Sequence, residues 1–547
     1  MKPTVRPLEV KLEDLEKLLE RARLAPLSEA DYTQLKAVLE TLACLTQLLE
    51  NNRITIRRLR QMLFGASTEK TERVFPATPA KAAAEPAVAS ASGTDAAASK
   101  RRGHGRNGAQ AYGGATKIKV PHPALKPGDN CPKCERGKVY AVATPGVLVR
   151  VVGQAPLAAT VYELQKLRCN LCLEVFTAPA PEQAGAGKYD ASAASMVALL
   201  KYGNGFPFYR QQGMQANLGV PLPASTAWNI VEKAARTIQP AYAELIRQAA
   251  QGEVLYNDDT TMKILALMRA GPAPEESAGE PEDPEVRSGI FTSGVVATRA
   301  GNKIALFFTG RKHAGENLAE VLGQRAADLG PPIQMADALS RNLPGELATI
   351  VARCNVHARR NFVDVAAHFP QECRFVLDVF RDVYKNDAFC REQGLTEEER
   401  LRYHQAQSGP RMKELEDWCG EQLAERKVEP NSGLGQAIAY LQKHWQGLTL
   451  YLRKAGAPLD NNICERALKK VIQHRKNALF YKTENGAQVG DLFMTLIHTC
   501  QLHGVNPFEY LIELQKHSAE LQRNPAEWMP WNYREALERA GARTASE

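Results

Sequence analysis

Three carboxylates in three unlike settings stand out as side chains able to do chemistry: Asp258 in VLYNDDTTMKIL, Asp337 in PPIQMADAL and Glu465 in PLDNNICERALKKVIQHRKN. Each Asp ends or bisects a short apolar run that reads as a strand, and the Glu opens a helix crowded with Lys and Arg. Acids that converge inside a basic groove can hold divalent ions against phosphate oxygens, the pattern of a Mg²⁺-dependent nuclease or strand-transfer centre. Asp258 and Asp259 point to opposite faces of one strand, so Asp258 is the candidate, with Asp259 and Thr260 as supporting polar groups. Each acid also has a local reading: a turn for Asp258, a helix N-cap for Asp337, and a capping box with Asn462 for Glu465. Taken singly each stays open between the two readings, and the basic helix faces tip the balance.

From Glu465, positions 469, 472 and 476 fall on one helix face, which would set Lys469 and Lys476 beside the carboxylate with Arg466, Lys470 and Arg475 flanking it. Phosphate is the natural ligand of such a face. In CNVHARRNF, His357, Arg359 and Arg360 follow the strand-like IVARCNV. Cys354 and His357 are too few for a metal site, so His357 reads as a DNA contact or an ordering hydrogen bond.

A second metal chemistry is written in CPKC, Cys131 and Cys134, and CNLC, Cys169 and Cys172. Two such knuckles fit a tetrahedral Cys₄ zinc site, with redox dithiols as the competitor. Four sulfurs leave no open coordination position, so one structural Zn²⁺ is expected, in a ribbon whose hairpin arms lie between the knuckles.

These groups need several domains to position them. A length of 547 residues exceeds one core. Hydrophobic content of 44% with 24% charge is ordinary for a globular protein, no window reads as a membrane span, and the charged first twenty residues lack a secretory signal, so a cytoplasmic, nucleoid-associated protein is expected. Eleven cysteines suit reduced thiols plus a metal site better than a disulfide framework, and the net charge of +8 is clustered locally, as phosphate contacts require.

Residues 1–70 carry Leu35, Leu42, Leu49, Ile56 and Leu63 at seven-residue spacing, with Val38, Leu45 and Leu59 on a second seam and Asn52 interrupting it, which reads as a leucine zipper making a homodimer or higher assembly. Residues 71–116 form an Ala, Pro, Ser and Gly-rich linker ending in a basic knot, Lys100, Arg101, Arg102 and Arg106, equally suited to DNA phosphates or to solvation. A zinc ribbon is expected over 117–180, and a helical region over 181–250 that is either a helix-turn-helix with Thr226, Asn229 and Lys233 toward DNA or a plain bundle. Strand-like runs then give a β-β-β-α-β order over 251–361, a ribonuclease-H-like core whose first and fourth strands lie adjacent. A helical insertion follows over 362–456, the core resumes with Glu465 over 457–500, and 501–547 is a small helical region. The fold class is thus multidomain α+β.

Nearly the whole chain resembles the insertion sequence sixty-six family of bacterial DDE transposases, the TnpC type. The resemblance is carried by the zipper ending in QMLFGASTEK, the CPKC and CNLC ribbon, KYGNGFPFYRQQ, NDDTT, CNVHARR, PLDNNICERALKKVIQHRKNALF, HGVNPFEYL and MPWNYRE. It implies that Asp258, Asp337 and Glu465 are the acidic triad of a transposase that cuts element ends and joins 3′-hydroxyls to target DNA with two Mg²⁺ or Mn²⁺ ions, helped by accessory transposition proteins. Two positions depart from the family: Asp259 stands where Glu is usual, and Ala338 follows Asp337 where Gly is usual. The alternative is a non-catalytic or degenerate DNA-binding regulator that uses only zipper, ribbon and helices.

Overall fold

The structure, a computed structural model, describes residues 123–134, 136–140, 154–168, 170, 175–185, 187–268 and 287–544. The zipper, the linker with Arg101, Arg102 and Arg106, and Cys169 and Cys172 lie outside the described residues. The chain divides into two units, Pro79–Ala158 and the remainder.

In the smaller unit a bridge between Asn130 and Lys138 closes a turn around the first knuckle, and the Cys131 N–H donates to the Gly137 carbonyl at 2.6 Å. In the larger unit β1 (Lys166–Arg168) and β2 (Val175–Thr177) pair antiparallel on either side of the second knuckle. The segment 141–153 between the knuckles, where the hairpin arms were expected, lies outside the described residues.

Helices α1 (Ala191–Ala198), α2 (Phe208–Asn217) and α3 (Ala224–Ala249) precede the sheet. Helix α3 carries Thr226 in its first turn. It starts after Pro223, and its first N–H, from Ala224, is taken by Gln212 Oε1 of α2 at 2.8 Å. Asn229 and Lys233 are exposed along it.

Five strands follow: β3 (Val254–Thr261), β4 (Phe291–Arg299), β5 (Asn302–Gly310), then α4 (Ala314–Leu322), β6 (Ile333–Ala336) and β7 (Ile350–Arg353). The sheet runs β5-β4-β3-β6-β7, antiparallel through the first three and parallel through the last three. The first and fourth strands of the β-β-β-α-β run are thus neighbours, as expected. Strand β4 is buried along seven successive residues from Phe291 to Ala297, which explains why its sequence is apolar or small on both faces.

From β7 the chain is helical: α5 (Asn355–Val365), α6 (Pro370–Glu392), α7 (Glu397–Gln407), α8 (Gly409–Ala424) and α9 (Gly433–Leu448). Phe362, Phe380, Leu415 and Leu441 fill their common core, which is continuous with Val254, Met335 and Ala352 of the sheet.

Helices α10 (Asn462–Ala478), α11 (Glu484–Leu502), α12 (Pro507–Lys516), α13 (Ser518–Arg523) and α14 (Tyr533–Thr544) complete the unit. Helix α11 lies along the edge strand β5. Asp491, Thr495, Thr499 and His503, four residues apart, accept the N–H groups of Thr309, Phe307, Ala305 and Lys303 at 2.7, 3.1, 3.2 and 3.2 Å. Four helical residues rise about 6 Å and two strand residues about 6.8 Å, so the two rows stay in step and the edge is closed to other strands. No helix among the described residues is long and apolar enough to cross a membrane.

Candidate active site

The parallel register Val254↔Ile333, Leu255↔Gln334, Tyr256↔Met335, carried two residues further, brings Asp258 level with Asp337 just past the end of β6. Burial, and then the negative charges of Asp337, Asp259 and Glu465, push the Asp258 carboxyl up to about 7. Its neighbours therefore include both other candidate acids, 79 and 207 positions away (337 − 258 and 465 − 258).

Asp337 is fixed by its own loop. Its Oδ1 accepts the Leu339 N–H at 3.2 Å and the Asn342 side-chain amide, while the Arg353 guanidinium donates to its carbonyl. One carboxylate oxygen thus organises a turn and not the expected helix N-cap, since the short helix that follows, Ser340–Asn342, has Leu339 at that position, and the residue still lies beside Asp258.

The capping-box expectation for Glu465 is corrected. Helix α10 has Asn461 as N-cap, one residue earlier than supposed, and the Asn462 N–H is taken by Asp460 Oδ1 at 3.0 Å. Glu465 is one position past the capping site, and its Oε1 is buried without a hydrogen-bond partner. The helix start is tied to the sheet by Asn461, whose side-chain amide donates to the Asn257 carbonyl at 3.1 Å and whose N–H donates to Cys354 Sγ at 3.4 Å.

His357 of α5 reaches the same place. Its Nδ1 is buried without a partner, 3.9 Å from Glu465 Oε1, and ligand atoms of Cys354, His357 and Glu465 lie within 4.8 Å of one another. The pair that was too small for a metal in the sequence gains a third member from a distant helix.

Asp259 faces the opposite side of β3. Its side chain is 2% exposed and held by His313 Nδ1 at 3.1 Å and Arg341 Nη2 at 3.3 Å. Its support is to the α4 face, where His313 caps the helix.

The basic residues divide by placement. Arg466, Lys469 and Lys476 are exposed on α10 and Lys470 is half-buried. Lys469 is one turn from Glu465, but Lys476 is eleven residues on, about 16 Å along the axis, and does not sit beside the carboxylate. Arg475 turns inward to Thr260 Oγ1 at 3.2 Å and Thr261 Oγ1 at 2.7 Å, pinning the end of β3. Arg359 and Arg360 are half-buried on α5. Arg360 lines a cleft of about 300 Å³ together with Asp337, His357, Tyr440 and His444.

Gly294, Asn461 and Arg353 are the positions that sequence reasoning passed over. A glycine inside a buried strand signals a close approach, and that signal was present in TSGVV. Nothing local marks Asn461 or Arg353.

Converging carboxylates, one of them with a raised affinity for protons and another with an orphan oxygen, form a donor set that fits hard divalent cations. At the first knuckle, N–H groups of Gly137 and Arg136 hold the Cys134 thiol below its ordinary range, the direction that suits a metal thiolate.

The family model described as "Transposase IS66 family" matches residues 186–278 and 293–489. Among curated proteins the chain is similar to three uncharacterized proteins of Sinorhizobium fredii. Protein y4jD is 25% identical over 67% of this chain and 71% of its own length, and y4hP is 24% identical over 88% of both. Protein y4qI is 24% identical over 62% of this chain and 61% of its own length.

Proposed function

The chain belongs to the IS66 family of transposases, and on that premise we propose that it is a DDE transposase of a bacterial insertion sequence, cutting element ends and joining the 3′-hydroxyls to target DNA. The observation that carries this reading is the level register of Asp258 with Asp337 at the ends of adjacent parallel strands, with Glu465 near enough to add its charge to the burial that raises the Asp258 carboxyl. The strand order β5-β4-β3-β6-β7 supports a ribonuclease-H-like core, with α5 to α9 as its insertion.

In this reading Asp258, Asp337 and Glu465 would together hold two Mg²⁺ or Mn²⁺ ions. Bound there, the ions would activate water or a terminal 3′-hydroxyl for in-line attack and stabilise the leaving oxygen. The Asn461 bonds hold Glu465 over β3, Arg353 and Asn342 hold Asp337, and Arg475 fixes the strand end. Arg466 and Lys469 offset phosphate charge, with Lys470, His357, Arg359, Arg360 and Lys476 as further DNA contacts. Cys131, Cys134, Cys169 and Cys172 would hold one structural Zn²⁺, the zipper makes a homodimer or higher assembly, Arg101, Arg102 and Arg106 touch DNA, and accessory transposition proteins assist.

The test uses DNA carrying the inverted repeats that flank the gene. Purified protein with Mg²⁺ should nick and join these ends, and Asp258→Asn should bind them equally while cleaving none. Metal-dependent cleavage retained by Asp258→Asn overturns the assignment, and binding without cleavage by the unaltered protein favours the regulator.

A further inference from the structure

Helix α10 ends in a strained turn that drives an apolar side chain into solvent. Leu479 has φ 68° and ψ −44°, and the Phe480 N–H donates to the Ala478 carbonyl at 2.9 Å, closing a γ-turn around it. A γ-turn with positive φ is rare and strained, and glycine is the residue that tolerates positive φ without cost. The conformation is enforced from both sides. The Leu479 N–H bonds the Arg475 carbonyl at 2.8 Å and the Tyr481 N–H bonds the Lys263 carbonyl at 2.9 Å, while Leu265 and Ala266 donate to the carbonyls of Tyr481 and Lys482.

What the strain accomplishes is exposure. Leu479 is 62% and Phe480 37% exposed, in a stretch whose other exposed side chains include Lys476 and Lys482, with exposed Lys263 paired alongside. No acidic residue lies between Glu465 and Glu484. The patch also borders the candidate active site, because Arg475, in the same helical turn, is bound to Thr260 and Thr261. Thr261 is three residues, about 10 Å, along the strand from Asp258.

We propose that Leu479 and Phe480 form an apolar wedge that stacks against an unpaired base of a DNA strand whose phosphates are held by the surrounding lysines. An apolar tip flanked by Lys476, Lys482 and Lys263 matches a nucleotide strand, which offers a flat base face between anionic phosphates. Strained positions that the surrounding bonds over-determine cluster where they serve a ligand. The proposal rests on the reading of Asp258, Asp337 and Glu465 as a DNA-processing centre.

The test is binding by the full chain in Ca²⁺, where no cleavage is needed, to two duplexes of one sequence. One is blunt, and the other carries an unpaired 3′ tail containing the fluorescent base 2-aminopurine. The unaltered protein should prefer the tailed probe and change its fluorescence. Leu479→Gly suits the positive φ, so it should melt no lower than the unaltered protein while losing about tenfold in affinity for the tailed probe alone. Phe480→Ala should lose less. Preference for the tail retained by Leu479→Gly, or absent from the unaltered protein, overturns the wedge. So does a Leu479→Gly variant that changes oligomeric state on gel filtration with DNA binding intact, which would make the patch a subunit contact. Tail preference in a protein that never cleaves would overturn the catalytic reading and leave the wedge standing.

Discussion

Gly294 lies directly across the antiparallel β3–β4 ladder from Asp258, and helix α10 rests on it. A Cβ there would meet Leu468 at 3.1 Å and Cys464 Sγ at 3.3 Å, and Cys464 already donates to the Gly294 carbonyl at 3.3 Å. Cys464 and Leu468 flank Glu465 on the helix, so the missing side chain sets how closely Glu465 approaches Asp258. Gly294→Val should therefore destabilise by about 1–3 kcal/mol through overpacking and reduce cleavage more than it reduces DNA binding. Adding Leu468→Ala should recover part of both. Cleavage by Gly294→Val equal to that of the unaltered protein would show that this approach does not matter.

A carboxylate held among other carboxylates weakens the metal-free protein. Asp258 has its carboxyl raised to about 7, against an ordinary value of 3.8, so the folded state binds its proton more tightly than the unfolded chain does. Its contribution to stability is full below the ordinary value and is lost as pH rises through 7. In EDTA, Asp258→Asn should therefore gain in melting temperature over the unaltered protein as pH is raised from 5 to 8. Mg²⁺ should stabilise the unaltered protein at pH 8 and the variant much less. Melting curves at two pH values with and without Mg²⁺ decide it, and a gap independent of pH would count against the carboxylate cluster.

The proposed zinc site has a stoichiometric signature. Purified protein should hold one zinc per chain by elemental analysis, and Cys131→Ser or Cys134→Ser should each lose it. Chelation should expose the segments around both knuckles, including residues 123–140, to protease. Full zinc content in Cys134→Ser would rule the site out.

How much of this was legible in the sequence differs from residue to residue. The strand order followed from short apolar runs separated by one helix, because hydrophobic periodicity and connection rules are local. That order, in a ribonuclease-H-like core, made the first and fourth strands neighbours, but the level register of Asp258 with Asp337 is set by the pairing itself. The start of α10 was hidden: Asn461 is N-cap because its side chain bonds the Asn257 carbonyl, 204 positions away, a tertiary contact that overrides the local Asn462 and Glu465 pattern. The bonds of Arg475 to Thr260 and Thr261 were hidden for the same reason, since its partners lie on a distant strand. The row Asp491, Thr495, Thr499 and His503 reads as ordinary helical polarity, and only the edge strand beside it gives the spacing meaning.

That row yields the last prediction. Asp491 is 3% exposed and accepts both the N–H and the hydroxyl of Thr309, at 2.7 and 2.6 Å, and the same hydroxyl lies 2.8 Å from that of Thr292. Burial outweighs these bonds and pushes the carboxyl up to about 7. When protonated, Asp491 can donate to the Thr309 hydroxyl, which then donates to Thr292, so the neutral acid satisfies the same network. As with any acid whose folded value is raised, the stability it contributes is lost as pH climbs from about 4 through 7. Asp491→Asn keeps one acceptor for the Thr309 N–H and one donor for its hydroxyl, so it should match the unaltered protein near pH 5 and exceed it in melting temperature at pH 8. Asp491→Leu leaves the edge N–H of Thr309 without an acceptor and should cost about 1–3 kcal/mol at both pH values. If Asp491→Asn instead loses stability at pH 8, the carboxylate is ionised and held by its donors, and the edge row works through charge.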